Sequence, residues 1–238
     1  MRIPRVQGKL TNRELGLIIN DDDPYSVQVG AHYARARGIP VNQILHVSVP
    51  VKGSLSAAEF AQLKERVDAF FGDRVQALAM AWKVPYAVEC NSITGAMTLG
   101  FDPGLCKTST CAASRPSAYF GSRSIRPWRD HGMRLSMLLA ASDVSQATAL
   151  IDRGVRSDGT LGRKGALPAN VHFVSTSDRV RSVRERLFPP AGLVPNFGLD
   201  VFLDKSDALD KPQRVVMYLT GAEQVRKLDE VQFLGADE

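Results

Sequence analysis

Short apolar runs alternate along this chain with segments whose apolar residues recur at helical spacing. The runs are continuous rather than alternating, which is typical of strands that are buried on both faces of a parallel sheet. They span residues 15–19, 44–49, 75–82, 133–141, 171–175 and 215–219. This order predicts an α/β fold with a doubly wound, mostly parallel sheet of about six strands and helices on both faces.

The best specified strand–helix unit lies at residues 14–40. Its apolar run is followed by Asp23 as a helix N-cap, Pro24 at the first helical position and Gly38 as the stop signal. Helical spacing then predicts an inner stripe, formed by Val27, Ala31, Tyr33 and Ala34. The segment therefore predicts one complete βα unit.

Four further helix starts follow from capping residues. Ser56 and Glu59 form a capping box for a helix over 57–71, with an inner face of Phe60, Leu63, Val67 and Phe70 or Phe71. Ser142 or Asp143 caps a helix that runs to about Arg153 and is closed by Gly154. The last two predicted starts are Ser177-Asp178, before residues 179–188, and Thr220 with Glu223, before a helix to about Leu228.

We interpret the 238 residues as a single α/β domain over 1–238, with an irregular insertion at about 102–130 that is rich in Pro, Gly, Ser, Cys and Arg. No apolar run approaches the roughly 18 residues of a membrane span, and residues 1–13 lack the apolar region of a signal peptide. The net charge of +5 comes from scattered arginines. A protein or small-ligand partner is therefore favoured over nucleic acid.

A parallel sheet also predicts where a ligand binds, because ligands of such sheets lie outside the carboxyl ends of the strands. Polar residues follow four of the predicted strands. The candidate ligand-binding residues are Asn20, Asp21, Asp22, Ser142, Asp143, Ser175, Thr176, Asp178 and Thr220. The sequence thus predicts a ligand- or partner-binding domain with its site at this edge.

Two oxygen-rich positions in that set also suit a metal ion. Asp21 and Asp22 could hold Mg²⁺ or Ca²⁺, with Asp143 or Asp178 completing the shell. The alternative is that these residues are helix caps or solvated turn residues. Neither GxGxxG nor GxxxxGK[ST] occurs, which disfavours the familiar modes of nucleotide binding.

Cys90 and His131 are the candidates for nucleophilic chemistry, and whether the protein is an enzyme stays open. The order of elements resembles caspase-like and gingipain-like cysteine peptidases, in which a His-Gly pair precedes the cysteine. Here Cys90 comes first and His131-Gly132 follows. A cysteine hydrolase, or a fragment of one, is therefore the alternative function.

The other two cysteines lie close together in the predicted insertion. Cys106 and Cys111 either form a local disulfide or remain thiols, and Cys90 is then expected to stay free.

Six collinear segments resemble an uncharacterised bacterial family of exported α/β proteins whose motif reads NDxDPxSVxxGxxYAxxRGIP. The segments are NDDDPYSVQVGAHYARARGIP, ALAMAWKVPYAVECNSIT, GFDPGLC, MRLSMLLAAS, ALIDRGVRSDGT and VVMYLTGAEQV. The resemblance implies the α/β fold, a periplasmic or extracellular location and a disulfide between Cys106 and Cys111, and it supplies no catalytic residues. Members continue with a Gly-rich stretch and a Glu-Pro-Cys segment, which implies that this chain is truncated at its C-terminus.

Overall fold

A computed structural model describes residues 10–107, 116–158, 161 and 167–234. The chain divides into two compact units, Met1–Ile151 and Asp152–Glu238. Residues 108–115 of the predicted insertion, including Cys111, lie outside the described residues. Whether the two units act as the single predicted domain stays a prediction.

The described residues form eleven strands, five α-helices and several short 3-10 helices. The strands are β1 (Leu15–Asn20), β2 (Ile44–Val47), β3 (Ser54–Leu55), β4 (Ala77–Met80), β5 (Ala87–Val88), β6 (Asn91–Ser92), β7 (Leu135–Leu138), β8 (Ala169–Ser175), β9 (Gly192–Val194), β10 (Leu199–Lys205) and β11 (Val215–Thr220). The α-helices are α1 (Pro24–Arg37), α2 (Ala57–Phe71), α3 (Ile93–Leu99), α4 (Pro127–His131) and α5 (Val144–Ser157). The 3-10 helices are Val41–Gln43, Pro103–Lys107, Arg181–Leu187, Pro195–Phe197 and Leu228–Glu230.

The first unit contains a four-stranded sheet in the order β2-β1-β4-β7, and every neighbouring pair is parallel. All four residues of β4 and all but the first of β1 are buried, as expected for central strands. A small sheet of β3, β5 and β6 lies in the same unit. The predicted α/β class with a mostly parallel sheet is thereby confirmed.

The second unit contains its own four-stranded sheet in the order β11-β8-β10-β9. Strands β11, β8 and β10 are parallel, and β9 is antiparallel to β10. The six predicted strands therefore fall in two sheets, and β10 was not among them. The sequence was insufficient here because apolar runs indicate where strands form without specifying which strands pair.

Helix α1 begins and ends as predicted, but it packs through a different face. The Asp23 carboxylate accepts a hydrogen bond from the Tyr25 backbone N–H at 3.0 Å, and Gly38 ends the helix at φ +60°. The predicted stripe is confirmed only at Tyr33, because Val27 is 42% exposed whereas Val29 and Gly30 are buried. A Cβ on Gly30 would lie 2.6 Å from Ile19, so the missing side chain lets the helix approach β1 closely.

Helix α2 confirms both its predicted cap and its predicted inner face. The Ser56 hydroxyl accepts from the Glu59 N–H at 3.3 Å, and the Glu59 carboxylate accepts from the Ser56 N–H at 2.7 Å. Its buried residues are Phe60, Leu63, Val67 and Phe71. They form one apolar cluster with the sheet, in which Trp82 is fully buried.

Three predicted helices in the C-terminal half differ from the structure. Helix α5 continues past Gly154, and residues 181–187 form a 3-10 helix. The predicted helix to Leu228 is absent, because the Thr220 hydroxyl accepts from the Ala222 N–H at 3.1 Å instead of capping a helix turn. That turn contact satisfies the hydroxyl locally and competes with helix initiation.

Candidate functional site

At the carboxyl end of β1, the two predicted metal-binding aspartates contact side chains in and just after the neighbouring strand β2. Asp21 Oδ1 lies 2.6 Å from Nδ1 of His46, and both side chains are about half exposed. The Ser48 hydroxyl donates to the Asp22 carboxylate. The parallel pairing of β1 and β2 brings these residues together, since both strands end at the same edge.

Asn20 lies beside them but is fully buried. Its amide nitrogen donates to the Val49 carbonyl at 2.9 Å, and its amide oxygen accepts from the Val49 N–H at 3.1 Å. The side chain thus fastens the segment after β2 to the end of β1. Because its polar atoms are already engaged, this predicted ligand residue has a structural role.

Asp143 and Ser142, which follow β7, contribute to the start of α5. The Asp143 carboxylate accepts from the Gln146 N–H at 2.8 Å, which confirms the predicted cap. The Ser142 carbonyl accepts from Lys83 Nζ at 3.2 Å, and that ammonium group lies 4.9 Å from the centre of the Tyr25 ring. Lys83 therefore brings a positive charge to the edge where Asp21 and Asp22 bring negative charge.

The described residues contain no group of three or more His, Cys, Asp or Glu side chains positioned to hold a metal ion. Asp178 belongs to the second unit, and Asp143 is engaged as a cap. The geometry therefore gives no support to the Mg²⁺ or Ca²⁺ site suggested by the sequence.

The second unit has a cleft of about 680 Å³ where the parallel strands β8 and β10 end; we call it the β8–β10 cleft. Its hydroxyl-bearing lining residues are Ser175, Thr176, Ser177, Ser182 and Ser206. Its charged lining residues are Arg179, Glu185, Arg186, Lys205 and Asp207. Two of the predicted ligand residues, Ser175 and Thr176, thus lie in a formed cleft.

Internal hydrogen bonds define the shape of the β8–β10 cleft. Asp207 accepts from the Ser177 backbone N–H at 2.6 Å and from the Ser177 hydroxyl at 2.9 Å, and these bonds, the backbone one first, hold the pKa of Asp207 below its ordinary value. The Thr176 N–H donates to the buried Ser182 hydroxyl at 3.0 Å. The turn after β8 is thereby tied to the turn after β10.

The positively charged side chains that line the β8–β10 cleft lack the close partners that its acidic residue Asp207 has. Within the described residues, Arg179, Arg186 and Lys205 form no ion pair, whereas the Asp207 carboxylate is engaged by Ser177. With Glu185 and Asp207 as the acidic residues, the lining carries one more positive than negative charge. The arrangement suits an anionic ligand that also accepts hydrogen bonds from hydroxyl groups.

Asp178 and Thr220 lie beside this cleft rather than in its lining. The Asp178 carboxylate accepts from the N–H groups of Val180 and Arg181 and pairs with the Arg181 guanidinium. The Arg181 N–H is the main cause that lowers the pKa of Asp178. Thr220 lines a smaller cleft of about 370 Å³.

The disulfide in the structure joins Cys90 to Cys106, with a Cα–Cα distance of 5.3 Å. The predicted Cys106–Cys111 pair is therefore wrong, and Cys90 is not free. The physical reason is a long-range contact: the Asn91 amide nitrogen donates to the Asp102 carbonyl at 3.0 Å, and the Asp102 N–H donates back to the Asn91 amide oxygen at 3.3 Å. These two hydrogen bonds hold the segment after α3 against the start of β6.

Cys90 and His131 do line a common cleft of about 660 Å³ in the first unit. The disulfide leaves Cys90 without the thiolate that nucleophilic catalysis requires. His131 Nε2 lies 2.9 Å from the Ser122 hydroxyl. The two residues thus share a cleft without forming a catalytic pair.

Sequence reasoning missed several residues of the β8–β10 cleft, namely Arg179, Ser182, Glu185, Arg186, Lys205, Ser206 and Asp207. The missed signal was the segment LDVFLDKSD, in which a strand ends at Lys205 and polar residues follow. The same pattern of a strand followed by polar residues had indicated the other carboxyl-end positions.

Comparisons with protein-family models, curated proteins and solved structures found no match. Among the described helices, none combines the length and the apolar character needed to cross a membrane.

Proposed function

We propose that this protein is a ligand-binding domain that holds a small anionic molecule in the β8–β10 cleft. The observation that carries the proposal is the position of Arg179, Arg186 and Lys205, three cations without ion pairs among the described residues, in a cleft at the carboxyl ends of two parallel strands. Parallel α/β sheets place their ligands at such ends.

The chemistry of the lining indicates the class of ligand. Arginine presents a planar fork of donors that matches phosphate and carboxylate groups, and hydroxyl side chains can add neutral hydrogen bonds. The cleft volume of about 680 Å³ lies within the range of small-molecule sites. A phosphorylated or carboxylated small molecule with several hydroxyl groups therefore suits this cleft.

Calorimetric titration of the full chain with inorganic phosphate, a sugar phosphate and a tricarboxylate tests the proposal. We expect saturable binding of at least one of them, and we expect Arg179→Ala and Arg186→Ala each to weaken it by about tenfold, the value of one charged hydrogen bond. The matched control is Arg184→Ala. Arg184 is exposed on the 3-10 helix Arg181–Leu187, which also contains Arg186, but it does not line the β8–β10 cleft.

Two results would contradict this function. One is the absence of binding heat for every anion in the panel. The other is an equal loss of affinity in Arg184→Ala, because that would mean a general effect of net charge rather than recognition in the cleft.

The proposal includes the resemblance to the family of exported α/β proteins, which supplies no catalytic residues. A doubly wound arrangement, with helices on both faces, is part of the same proposal because it directs ligands to the strand ends. The alternative of a cysteine hydrolase requires a free thiol at Cys90, and we do not favour it because Cys90 is bonded to Cys106.

A further inference from the structure

We propose that residues 116–129 of the first unit, here called the arginine-rich loop, bind to a membrane surface that contains anionic lipids. Three arginines and two exposed apolar side chains carry this inference. It concerns a surface in the first unit and is independent of the β8–β10 cleft in the second unit.

The tip of the arginine-rich loop displays an aromatic side chain. Phe120 is 91% exposed, the highest value among the large apolar residues described, and Ile125 is 54% exposed. Two consecutive turns produce this tip, because the Phe120 N–H donates to the Ser117 carbonyl and the Ser122 N–H to the Tyr119 carbonyl, each at 3.0 Å. Gly121 supplies the positive φ of +74° that the second turn needs.

The charge of the loop has a single sign. Residues 116–129 include Arg123, Arg126 and Arg129 and no aspartate or glutamate. Arg126 and Arg129 also line a small cleft with Glu14 and Asp73, two acidic residues outside the loop, whereas Arg123 does not line it. Within the part of the chain that the structure describes, none of these arginines forms an ion pair, and the adjacent Asp130 accepts instead from the Ser124 hydroxyl at 2.6 Å. Phosphate groups of anionic lipids complement such a basic surface.

The loop is held in shape by its own hydrogen bonds. The Tyr119 hydroxyl donates to the Ser124 carbonyl at 3.2 Å. At the other end, the Trp128 N–H donates to the Gln76 amide oxygen at 3.1 Å, and the Trp128 indole N–H donates to Asp73 at 3.2 Å. Binding therefore does not require ordering a disordered segment, which lowers its entropic cost.

These features favour a lipid surface over nucleic acid. Proteins that bind single strands stack successive bases on aromatic side chains along a charged groove. Here one aromatic side chain protrudes at a turn, and its apolar companion in the loop is the aliphatic Ile125. An exposed apolar tip beside arginines is instead the composition of surfaces that enter the headgroup layer.

Vesicle flotation at low ionic strength tests the proposal. We expect the full chain to float with vesicles in which about a third of the lipid is phosphatidylglycerol, and not with phosphatidylcholine alone. Phe120→Ser should weaken binding by about tenfold and Arg123→Ala by about fivefold, from the lost apolar and charge contributions. Matched controls are Val41→Ser, at another exposed apolar residue of the same unit, and Arg184→Ala.

Thermal unfolding of each variant establishes that it is folded before flotation is compared. The proposal is overturned if the wild type does not float with anionic vesicles, or if Phe120→Ser floats as well as the wild type. The proposal is also overturned if an equimolar oligonucleotide displaces the protein from vesicles and binds Phe120→Ser as tightly as the wild type. That result would indicate a surface that binds polyanions in general. Displacement by soluble glycerol phosphate would indicate a pocket for a single headgroup rather than a membrane-binding surface, and it would likewise overturn the proposal.

Discussion

The Arg134 guanidinium, whose side chain is 1% exposed, donates through Nη1 to the Asp68 carboxylate at 2.7 Å. It also donates to the carbonyls of Val75 and Gly72 and lies 3.7 Å from the centre of the Trp128 ring. Burial is the main cause that lowers the pKa of Arg134. One buried cation thus joins the end of α2 to the starts of β4 and β7.

Replacing Asp68 by alanine should therefore destabilise the first unit. The buried guanidinium would lose its carboxylate, and we expect a loss of about 2 to 3 kcal/mol in the free energy of unfolding, below the full value for a buried pair because Asp68 is 35% exposed. Urea denaturation measures the change. Lys64→Ala is the control, since Lys64 pairs with the same carboxylate from a more exposed position and should cost less than about 0.5 kcal/mol. Equal losses in the two variants would contradict the role assigned to Arg134.

The cysteine pairing predicts a definite peptide map. Digestion without reduction should release a peptide pair linked through Cys90 and Cys106, and should leave one thiol per chain, at Cys111. Cys106→Ser should lower the free energy of unfolding by about 3 kcal/mol, the value for a closed loop of this length, whereas Cys111→Ser should leave it unchanged. A peptide that links Cys106 to Cys111 would show this pairing to be wrong.

The capping box of α2 predicts that the stability of the protein depends on pH through Glu59. A hydrogen bond from Lys52 and then those from Ser56 lower the pKa of Glu59 from 4.5 to about 2. A carboxyl whose folded pKa is depressed contributes stability that is present above its unfolded value and is lost as the pH falls. Glu59→Gln should therefore be less stable than the wild type at pH 7, and the difference should shrink between pH 4.5 and about 2.

Thermal unfolding over this pH range measures the effect, and Glu65→Gln on the exposed side of α2 is the matched control. A difference between wild type and Glu59→Gln that does not change with pH would argue against an ionised cap. At pH 7, Ser56→Ala should cost about 1 kcal/mol, as for other N-cap serines.

The structural role assigned to Asn20 can be tested by its contribution to stability. Asn20→Ala would leave the buried N–H and C=O of Val49 without these partners, so we expect a loss of about 2 to 3 kcal/mol in the free energy of unfolding. Asp21→Ala, at the half-exposed neighbouring position, should cost less than about 1 kcal/mol. Denaturant unfolding of both variants measures these losses. A small loss of stability in Asn20→Ala would contradict the role of its side chain in joining β1 to Val49.

The sequence by itself determined the features that depend on contacts within a few residues. Helix α1 begins after Asp23 and ends at Gly38, and helix α2 begins at the capping box of Ser56 and Glu59. These limits are local because a cap is a hydrogen bond to the adjacent helix turn. Continuous apolar runs likewise marked the positions of β1, β2, β4, β7, β8 and β11. These local signals were sufficient to predict an α/β fold with a mostly parallel sheet.

Tertiary structure alone decided the features that join distant residues. It placed β8, β10 and β11 in a sheet separate from β1, paired Cys90 with Cys106, and gathered Lys205 and Asp207 beside the turn after β8. It also turned α1 so that Gly30 rather than Val27 faces β1. An apolar pattern indicates where strands and helices form, but which of their residues are buried, and against which partners, is decided by the packing of the whole chain.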